Sequence, residues 1–73
     1  AEYELHVANY YMQRTAYLAA ANRAKYVVDH YPKTPAVPKA LELMITSYKL
    51  LDLDELAENS RRVLLLNYPD YKI

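Results

Sequence analysis

Glycine, cysteine, tryptophan and phenylalanine are all absent from this 73-residue chain. Without cysteine, no disulfide bond and no cysteine-ligated metal can stabilise the fold. Without glycine, the chain cannot build a glycine-rich phosphate loop, and its helices cannot end on the residue that most often follows a helix. Average usage predicts about five glycines in a chain of this length. Their absence therefore points either to chance or to engineering.

Neither sign of charge predominates, because nine Lys and Arg residues balance nine Asp and Glu residues. A neutral chain has no electrostatic reason to bind nucleic acid or an anionic membrane. The longest stretch without a charged residue is 5–13, whereas a bilayer-spanning helix needs roughly 20 apolar residues. We therefore predict no nucleic-acid partner and no direct membrane insertion. No signal or lipidation motif is visible, so any anchor is expected outside this sequence.

The spacing of apolar residues predicts an all-α domain of four helices. Pro32 is expected to end the second helix, since it lacks an N–H group and disfavours helical geometry at the residue before it. The predicted ranges are Glu2 to about Gln13, Tyr17 to the Tyr31-Pro32 stop, Pro35 to about Leu51, and about Leu53 to Asn67. The tail 69–73 is expected to be loose.

Residues suited to helix N-caps stand before the second, third and fourth helices. Thr15 and Thr34 are the predicted caps of the second and third helices, with Pro35 at the first helical position of the third. Asp52 is the predicted cap of the fourth helix, and Glu55 three residues later completes a pair like a capping box. Because the stretch around Thr15 contains no strict helix breaker, a continuous helix with domain-swapped hairpins is an alternative.

The sequence repeats itself at an offset of 37 residues. At this offset identical residues coincide, and both predicted turns fall at the same place. The coinciding pairs are Tyr11 and Tyr48, Ala20 and Ala57, Asn22 and Asn59, and Tyr31-Pro32 and Tyr68-Pro69. An internal repeat of this length indicates two antiparallel helical hairpins stacked as a short solenoid. Repeat one is predicted at 1–33 and repeat two at 36–70.

The repeated positions resemble the tetratricopeptide pattern of a small residue, an aromatic residue, an alanine and a proline. Ala8, Tyr11, Ala20 and Pro32 fit this pattern in the first copy. In the second copy Tyr48, Ala57 and Pro69 fit, and Ile45 replaces the small residue. The period exceeds the family's usual length of about 34 residues by about three, which is consistent with a longer loop at 33–38.

A narrower resemblance covers nearly all of the chain. The segments YYMQR (10–14), AY (16–17), AANR (20–23) and YP (31–32), and later LDLDELA (51–57) and NYP (67–69), are similar to the C-terminal repeats of the BamD (ComL) lipoprotein family. The resemblance implies a fragment of a non-catalytic scaffold at the periplasmic face of the outer membrane. It also implies docking onto the periplasmic domains of the barrel-assembly protein BamA. The family usually has glycine where Thr15 and Asp52 stand.

Four residues are the candidate partner-binding residues. Arg14 and Arg23 match arginines of the family pattern, and arginine makes planar, bidentate contacts to carboxylates. Tyr10 and Tyr17 do not stand at the tyrosine positions that recur in both repeats, so they can face a partner. The alternative for the arginines is ordinary solvated surface. The alternative for the tyrosines is a stacking platform for nucleic acid or sugar, although the repeated tyrosines are better explained by packing.

No catalytic residue, metal or cofactor is predicted. Glu2 and His6 could share a helix face as two metal ligands, but no third ligand is specified. The acidic residues from Asp52 to Glu58 fit favourable interaction with a helix N-terminus better than a calcium loop. Ser60 has no nearby histidine in the sequence. The second hypothesis is an engineered or excised repeat unit that self-assembles or folds without partner function.

Overall fold

A computed structural model describes residues 2–71 of the chain, with side chains from Tyr3 to Tyr71. The order of elements is α1 (Glu2–Gln13), α2 (Tyr17–His30), α3 (Ala36–Leu50) and α4 (Asp54–Asn67). Every regular element within residues 2–71 is an α-helix, so the predicted all-α class is confirmed. The bounds of α1 match the predicted range, while α3 and α4 each begin one residue later than predicted.

The turn between α1 and α2 contains a residue in the left-handed backbone conformation and is closed by backbone hydrogen bonds. Thr15 has a φ of 59°. The N–H of Ala16 donates to the carbonyl of Tyr11 at 2.9 Å, and the N–H of Thr15 donates to the carbonyl of Met12 at 3.1 Å. This pair of bonds is the Schellman motif, which normally places glycine at the left-handed position. The first hairpin therefore closes within one chain. The alternative of one continuous helix through α1 and α2 is not the conformation observed.

The turn between α3 and α4 repeats this geometry 37 residues later. Asp52 also has a φ of 59°. The N–H of Leu53 donates to the carbonyl of Tyr48 at 2.8 Å, and the N–H of Asp52 donates to the carbonyl of Lys49 at 3.1 Å. Both hairpins thus use the same helix ending, although neither position carries the glycine that this conformation favours.

The predicted N-caps at Thr15 and Asp52 are wrong. The N-cap positions are instead Ala16 and Leu53, which follow the left-handed residues. The Thr15 hydroxyl donates to the carbonyl of Arg14 at 2.6 Å, so it belongs to the end of α1 and not to the start of α2. In a short turn, a threonine that ends one helix also stands just before the apolar pattern of the next helix. The sequence alone therefore does not distinguish a helix-ending threonine from an N-cap threonine.

The link between the hairpins follows the Tyr31-Pro32 stop. Tyr31 leaves helical geometry with a φ of −130°, while its N–H still donates to the carbonyl of Val27 at 2.8 Å. Thr34 does not cap α3 as predicted; its hydroxyl donates to the carbonyl of Tyr31 at 2.9 Å. Pro35 occupies the N-cap with helical angles. Proline suits this position because no helical hydrogen bond needs its missing N–H.

The core lies mainly where α2 of the first hairpin packs against α3 of the second. Helices α1 and α2 form the first hairpin, α3 and α4 form the second, and α1 also touches α3. The residues of α2 that face this core are small, which lets the α2 and α3 backbones approach closely. The buried apolar cluster comprises Ala21, Ala24, Val27, Ala36, Val37, Ala40, Leu41, Met44, Ile45, Tyr48, Ala57 and Leu64.

The tail after α4 is partly docked, which corrects the expectation of a loose segment. Tyr68 and Tyr71 are half-buried against the core cluster. The Tyr71 hydroxyl donates to a carboxylate oxygen of Glu42 at 2.5 Å, so the tail is tied to the middle of α3. Residues 72 and 73 of the predicted tail lie outside the described residues.

Candidate partner-binding surface

Arg14 and Tyr10 form one unit at the end of the first hairpin. Arg14 follows α1 in the turn and is exposed, and Tyr10 lies one helical turn earlier with 48% of its surface exposed. The guanidinium carbon of Arg14 lies 4.5 Å from the centroid of the Tyr10 ring. A cation over a tyrosine face at an exposed site is stabilised by about 0.5–1 kcal/mol. The contact favours a position of the Arg14 guanidinium over the Tyr10 ring, on the exposed surface of the hairpin.

Tyr11 connects this unit to the body of the hairpin. Its ring meets the Tyr10 ring edge to face, with centroids 5.8 Å apart and planes inclined at 72°. Aromatic pairs favour this arrangement, which adds about 0.5–1.5 kcal/mol beyond burial. Tyr17 begins α2 just beyond the turn and is half-buried. Arg14, Tyr10 and Tyr17 therefore all lie near the turn between α1 and α2, where Arg14 and Tyr10 contact each other.

Arg23 lies in a separate feature, which we name the α1–α2 groove. This groove has a volume of about 310 Å³ and is lined by Tyr11, Ala19, Asn22, Arg23 and Tyr26. Arg23 is half-buried and makes no ion pair with any residue between 3 and 71. Tyr26 stacks on His30 with ring centroids 4.0 Å apart. The groove thus combines two aromatic side chains with a cation that has no ion pair among residues 3–71.

The sequence did not reveal a cleft between α1 and α3. It has a volume of about 470 Å³ and is lined by both apolar and polar side chains. Its lining residues are Leu5, Asn9, Met12, Lys39, Glu42, Leu43, Thr46 and Tyr71. The α1–α3 cleft depends on residues up to 66 positions apart, so no local motif could have indicated it.

The hydroxyl of Tyr71 has a raised pKa. Its hydrogen bond to Glu42, then partial burial, then the negative charge of that carboxylate raise the pKa of Tyr71 above its usual value of 10.0. All three effects disfavour the phenolate. Because the hydrogen bond is the largest cause, the neutral hydroxyl is the form that holds the tail against α3.

The described residues offer no metal centre and no membrane span. Residues 3–71 contain no cluster of three or more His, Cys, Asp or Glu side chains placed to hold a metal ion. His6 is exposed, and the side chain of Glu2, its predicted co-ligand, lies outside the described residues. Among the four described helices, none combines the length and the apolar character that crossing a membrane requires.

The fold and its repeated turn place the chain in the class of helical-hairpin repeat proteins. A family model described as YfiO, outer membrane lipoprotein, matches residues 1–64. The chain therefore belongs to this family of outer membrane lipoproteins.

Individual relatives agree with the family match. The chain is 48% identical over 66 residues to the outer membrane protein assembly factor BamD of Neisseria gonorrhoeae, covering 90% of this chain and 25% of the relative. It is 47% identical over 66 residues to BamD of Neisseria meningitidis serogroup B, with the same coverage. It is 41% identical over 71 residues to BamD of Xylella fastidiosa Temecula1, covering 97% and 24%. The chain thus spans about a quarter of the length of these relatives.

Proposed function

We propose that this chain is a helical-repeat fragment of a BamD-like component of the outer membrane β-barrel assembly machinery. In this role it is a non-catalytic scaffold that binds another protein. The relatives are outer membrane protein assembly factors by name, which supports this assignment. The same relationship supports a location at the periplasmic face of the outer membrane, with the anchor outside residues 1–73.

The proposed partner is a BamA-like set of periplasmic domains, and the proposed surface is Arg14, Tyr10 and Tyr17. The observation that carries this proposal is the stacking of Arg14 on Tyr10 at 4.5 Å. A guanidinium fixed in this way loses less conformational entropy when it pairs with a carboxylate. An acidic patch on the partner is therefore the expected complement. Arg23, which lines the α1–α2 groove, remains a fourth proposed partner-binding residue.

Isothermal titration calorimetry with the purified periplasmic domains of BamA tests this proposal. Arg14→Ala is expected to weaken binding at least about tenfold, because truncating an interface arginine commonly costs more than 1 kcal/mol. Arg14→Lys keeps the charge but loses the planar stacking, and an intermediate loss is expected. Arg62→Ala is the matched control, since Arg62 is an exposed arginine on α4, and it should leave affinity unchanged.

Two results would overturn the proposal. One is an absence of binding by a chain that is helical by circular dichroism, which would favour a repeat unit without partner function. The other is an equal loss of affinity for Arg14→Ala and Arg62→Ala, which would indicate nonspecific electrostatic attraction.

A further inference from the structure

One side of α4 carries an exposed apolar stripe. Leu56, Asn59, Val63 and Leu66 follow one another at spacings of three and four residues, so they share one face of the helix. The three apolar side chains have between 43% and 80% of their surface exposed. Leu56, Asn59 and Val63 also line a groove of about 260 Å³ together with residues of α2 and α3. The α4 stripe, as we name these four residues, is therefore largely apolar surface that is open to solvent within residues 3–71.

The α4 stripe is separate from the face by which one hairpin packs on the next. In α2 that packing face includes Ala21 and Ala24, which are fully buried in the core. The residues of α4 at the offset of 37 are Glu58 and Arg61, which are exposed and form an ion pair of 3.9 Å with each other. Neither belongs to the stripe. A protein bound to the stripe would therefore use a different surface from the one that stacks the repeats.

Two opposite charges border the α4 stripe. Glu55 lies four residues before Asn59, and Arg62 lies four residues before Leu66, so each is a neighbour of the stripe on the helix surface. Both side chains are exposed, and neither forms an ion pair with any residue between 3 and 71. Arg62 donates to the side-chain oxygen of Asn59 at 3.5 Å. The stripe is thus bordered by an acid in the first half of α4 and a base in the second half.

These residues are arranged symmetrically about Asn59. Leu56 stands three residues before it and Val63 four residues after it, while Glu55 stands four before and Arg62 three after. Two copies of α4 laid antiparallel, with Asn59 facing Asn59, bring Leu56 of each copy to Val63 of the other and Glu55 to Arg62. A two-fold dimer requires this kind of self-complementary surface. A parallel arrangement would instead bring Glu55 to Glu55 and Arg62 to Arg62.

We propose that the α4 stripe binds a second copy of this chain, with the two α4 helices antiparallel about a two-fold axis at Asn59. Glu55 and Arg62 then form two equivalent ion pairs across the interface. An interface of one helix from each copy lies below the standard size, so a dissociation constant of about 100 µM is expected. At a few micromolar the chain is then a monomer, and unfolding measured there reports on the single chain.

Sedimentation equilibrium of the 73-residue chain from about 5 µM to 2 mM tests this association, because this range spans the expected dissociation constant. A reversible equilibrium between monomer and dimer is expected. Arg62→Glu and Glu55→Arg should each weaken it about tenfold, since two attractive pairs become two repulsive ones. The double variant restores opposite charges and should return the dissociation constant to within about twofold of the natural value.

Arg61→Glu is the matched control for Arg62→Glu. It changes the net charge by the same amount at the adjacent exposed residue, but Arg61 lies outside the α4 stripe. The dissociation constant should change by less than about twofold, because its charge lies away from the proposed pairs. Circular dichroism of each variant confirms that the helices are retained.

A cysteine at the proposed two-fold axis gives a second measurement. The chain contains no cysteine of its own, so Asn59→Cys carries a single thiol that faces its own copy. A disulfide needs the two Cα atoms within about 7 Å. With oxidised glutathione as the oxidant, Asn59→Cys should form a linked dimer at least about tenfold faster than Arg61→Cys, since only position 59 meets that distance.

Three results would overturn the proposal. A chain that stays monomeric at millimolar concentration would show that the α4 stripe does not bind a second copy and is left for a different partner. Equal weakening by Arg61→Glu and Arg62→Glu, or no recovery in the double exchange, would exclude the antiparallel ion pairs. Equal disulfide formation at positions 59 and 61 would exclude the two-fold axis at Asn59. All of these measurements use this chain alone, so their outcome is independent of binding to BamA.

Discussion

Thr15 and Asp52 adopt the same left-handed conformation, each with a φ of 59°, at positions 37 residues apart. Each ends the first helix of a hairpin and begins the turn into the second. The repeat is therefore present in the backbone angles as well as in the residue types. Glycine, which the resemblance noted from the sequence implies at both places, suits this conformation because a residue with a Cβ atom is disfavoured in it.

Replacing Thr15 with glycine should stabilise the chain. A non-glycine residue in the left-handed region costs about 1 kcal/mol or more, and a β-branched residue is the least suited to it. The free energy of unfolding in urea is expected to rise by about 1 kcal/mol for Thr15→Gly. Asp52→Gly should give a smaller gain, since a short polar side chain tolerates the left-handed region better.

Thr15→Ala is the control for this comparison. Alanine removes the branched side chain but retains the Cβ atom, so most of the strain should remain. If Thr15→Gly and Thr15→Ala change the free energy of unfolding equally, Cβ strain is not the cause.

Leu64 is expected to be the most sensitive position of α4. Its side chain is completely buried, and truncating a buried leucine to alanine costs about 2–5 kcal/mol. A chain of this length has a total stability of about 4–11 kcal/mol at typical values per residue. Leu64→Ala should therefore lower the urea midpoint severely or unfold the chain. Leu66→Ala in the same helix should change stability by less than about 0.5 kcal/mol, because Leu66 is 80% exposed.

The hydrogen bond from Tyr71 to Glu42 should contribute to stability at neutral pH. Tyr71→Phe removes one hydroxyl and keeps the ring, so a loss of about 1 kcal/mol in the free energy of unfolding is expected. Tyr3→Phe is the matched control because Tyr3 is exposed on α1. Equal stability of the two variants would show that the tail is not held by this bond.

The same pair of residues predicts a dependence on alkaline pH. The pKa of Tyr71 is raised in the folded chain above its usual value of 10.0, chiefly by the hydrogen bond to Glu42. The stabilisation is thus complete below about pH 10 and is lost as the pH rises through the folded-state pKa. The difference in free energy between the natural chain and Tyr71→Phe should be constant from pH 7 to 9 and shrink above pH 10. A difference that does not shrink at any alkaline pH at which the chain is folded would contradict this.

Exchanging equivalent residues of α2 and α4 should show that the face buried on α2 is exposed on α4. Ala24→Arg introduces into the buried α2–α3 interface the residue that α4 carries at the equivalent position. Overpacking and an unpaired buried charge should cost more than about 3 kcal/mol. Arg61→Ala makes the reverse change on the exposed face of α4 and should change the free energy of unfolding by less than about 0.5 kcal/mol. Chemical denaturation of both variants, with the radius of gyration from X-ray scattering, checks this.

The sequence by itself determined the helices and their pairing. Apolar spacing and the two Tyr-Pro stops are local signals, so they predicted four helices with bounds close to those observed. The 37-residue repeat predicted two equivalent hairpins, and it also placed Arg14 at a turn. These features follow from residue types along one segment, because a helix and its end depend mainly on neighbours within a few positions.

Tertiary structure decided the features that join distant residues. The Schellman hydrogen bonds at Thr15 and Asp52 were not predicted. Threonine and aspartate are favoured N-cap residues, so the sequence indicated helix starts at these positions and not left-handed helix ends. The bond from Tyr71 to Glu42, the α1–α3 cleft and the partial burial of Arg23 in the α1–α2 groove all depend on packing between helices. Stacking of one hairpin on the next sets these distances, and no local pattern contains that information.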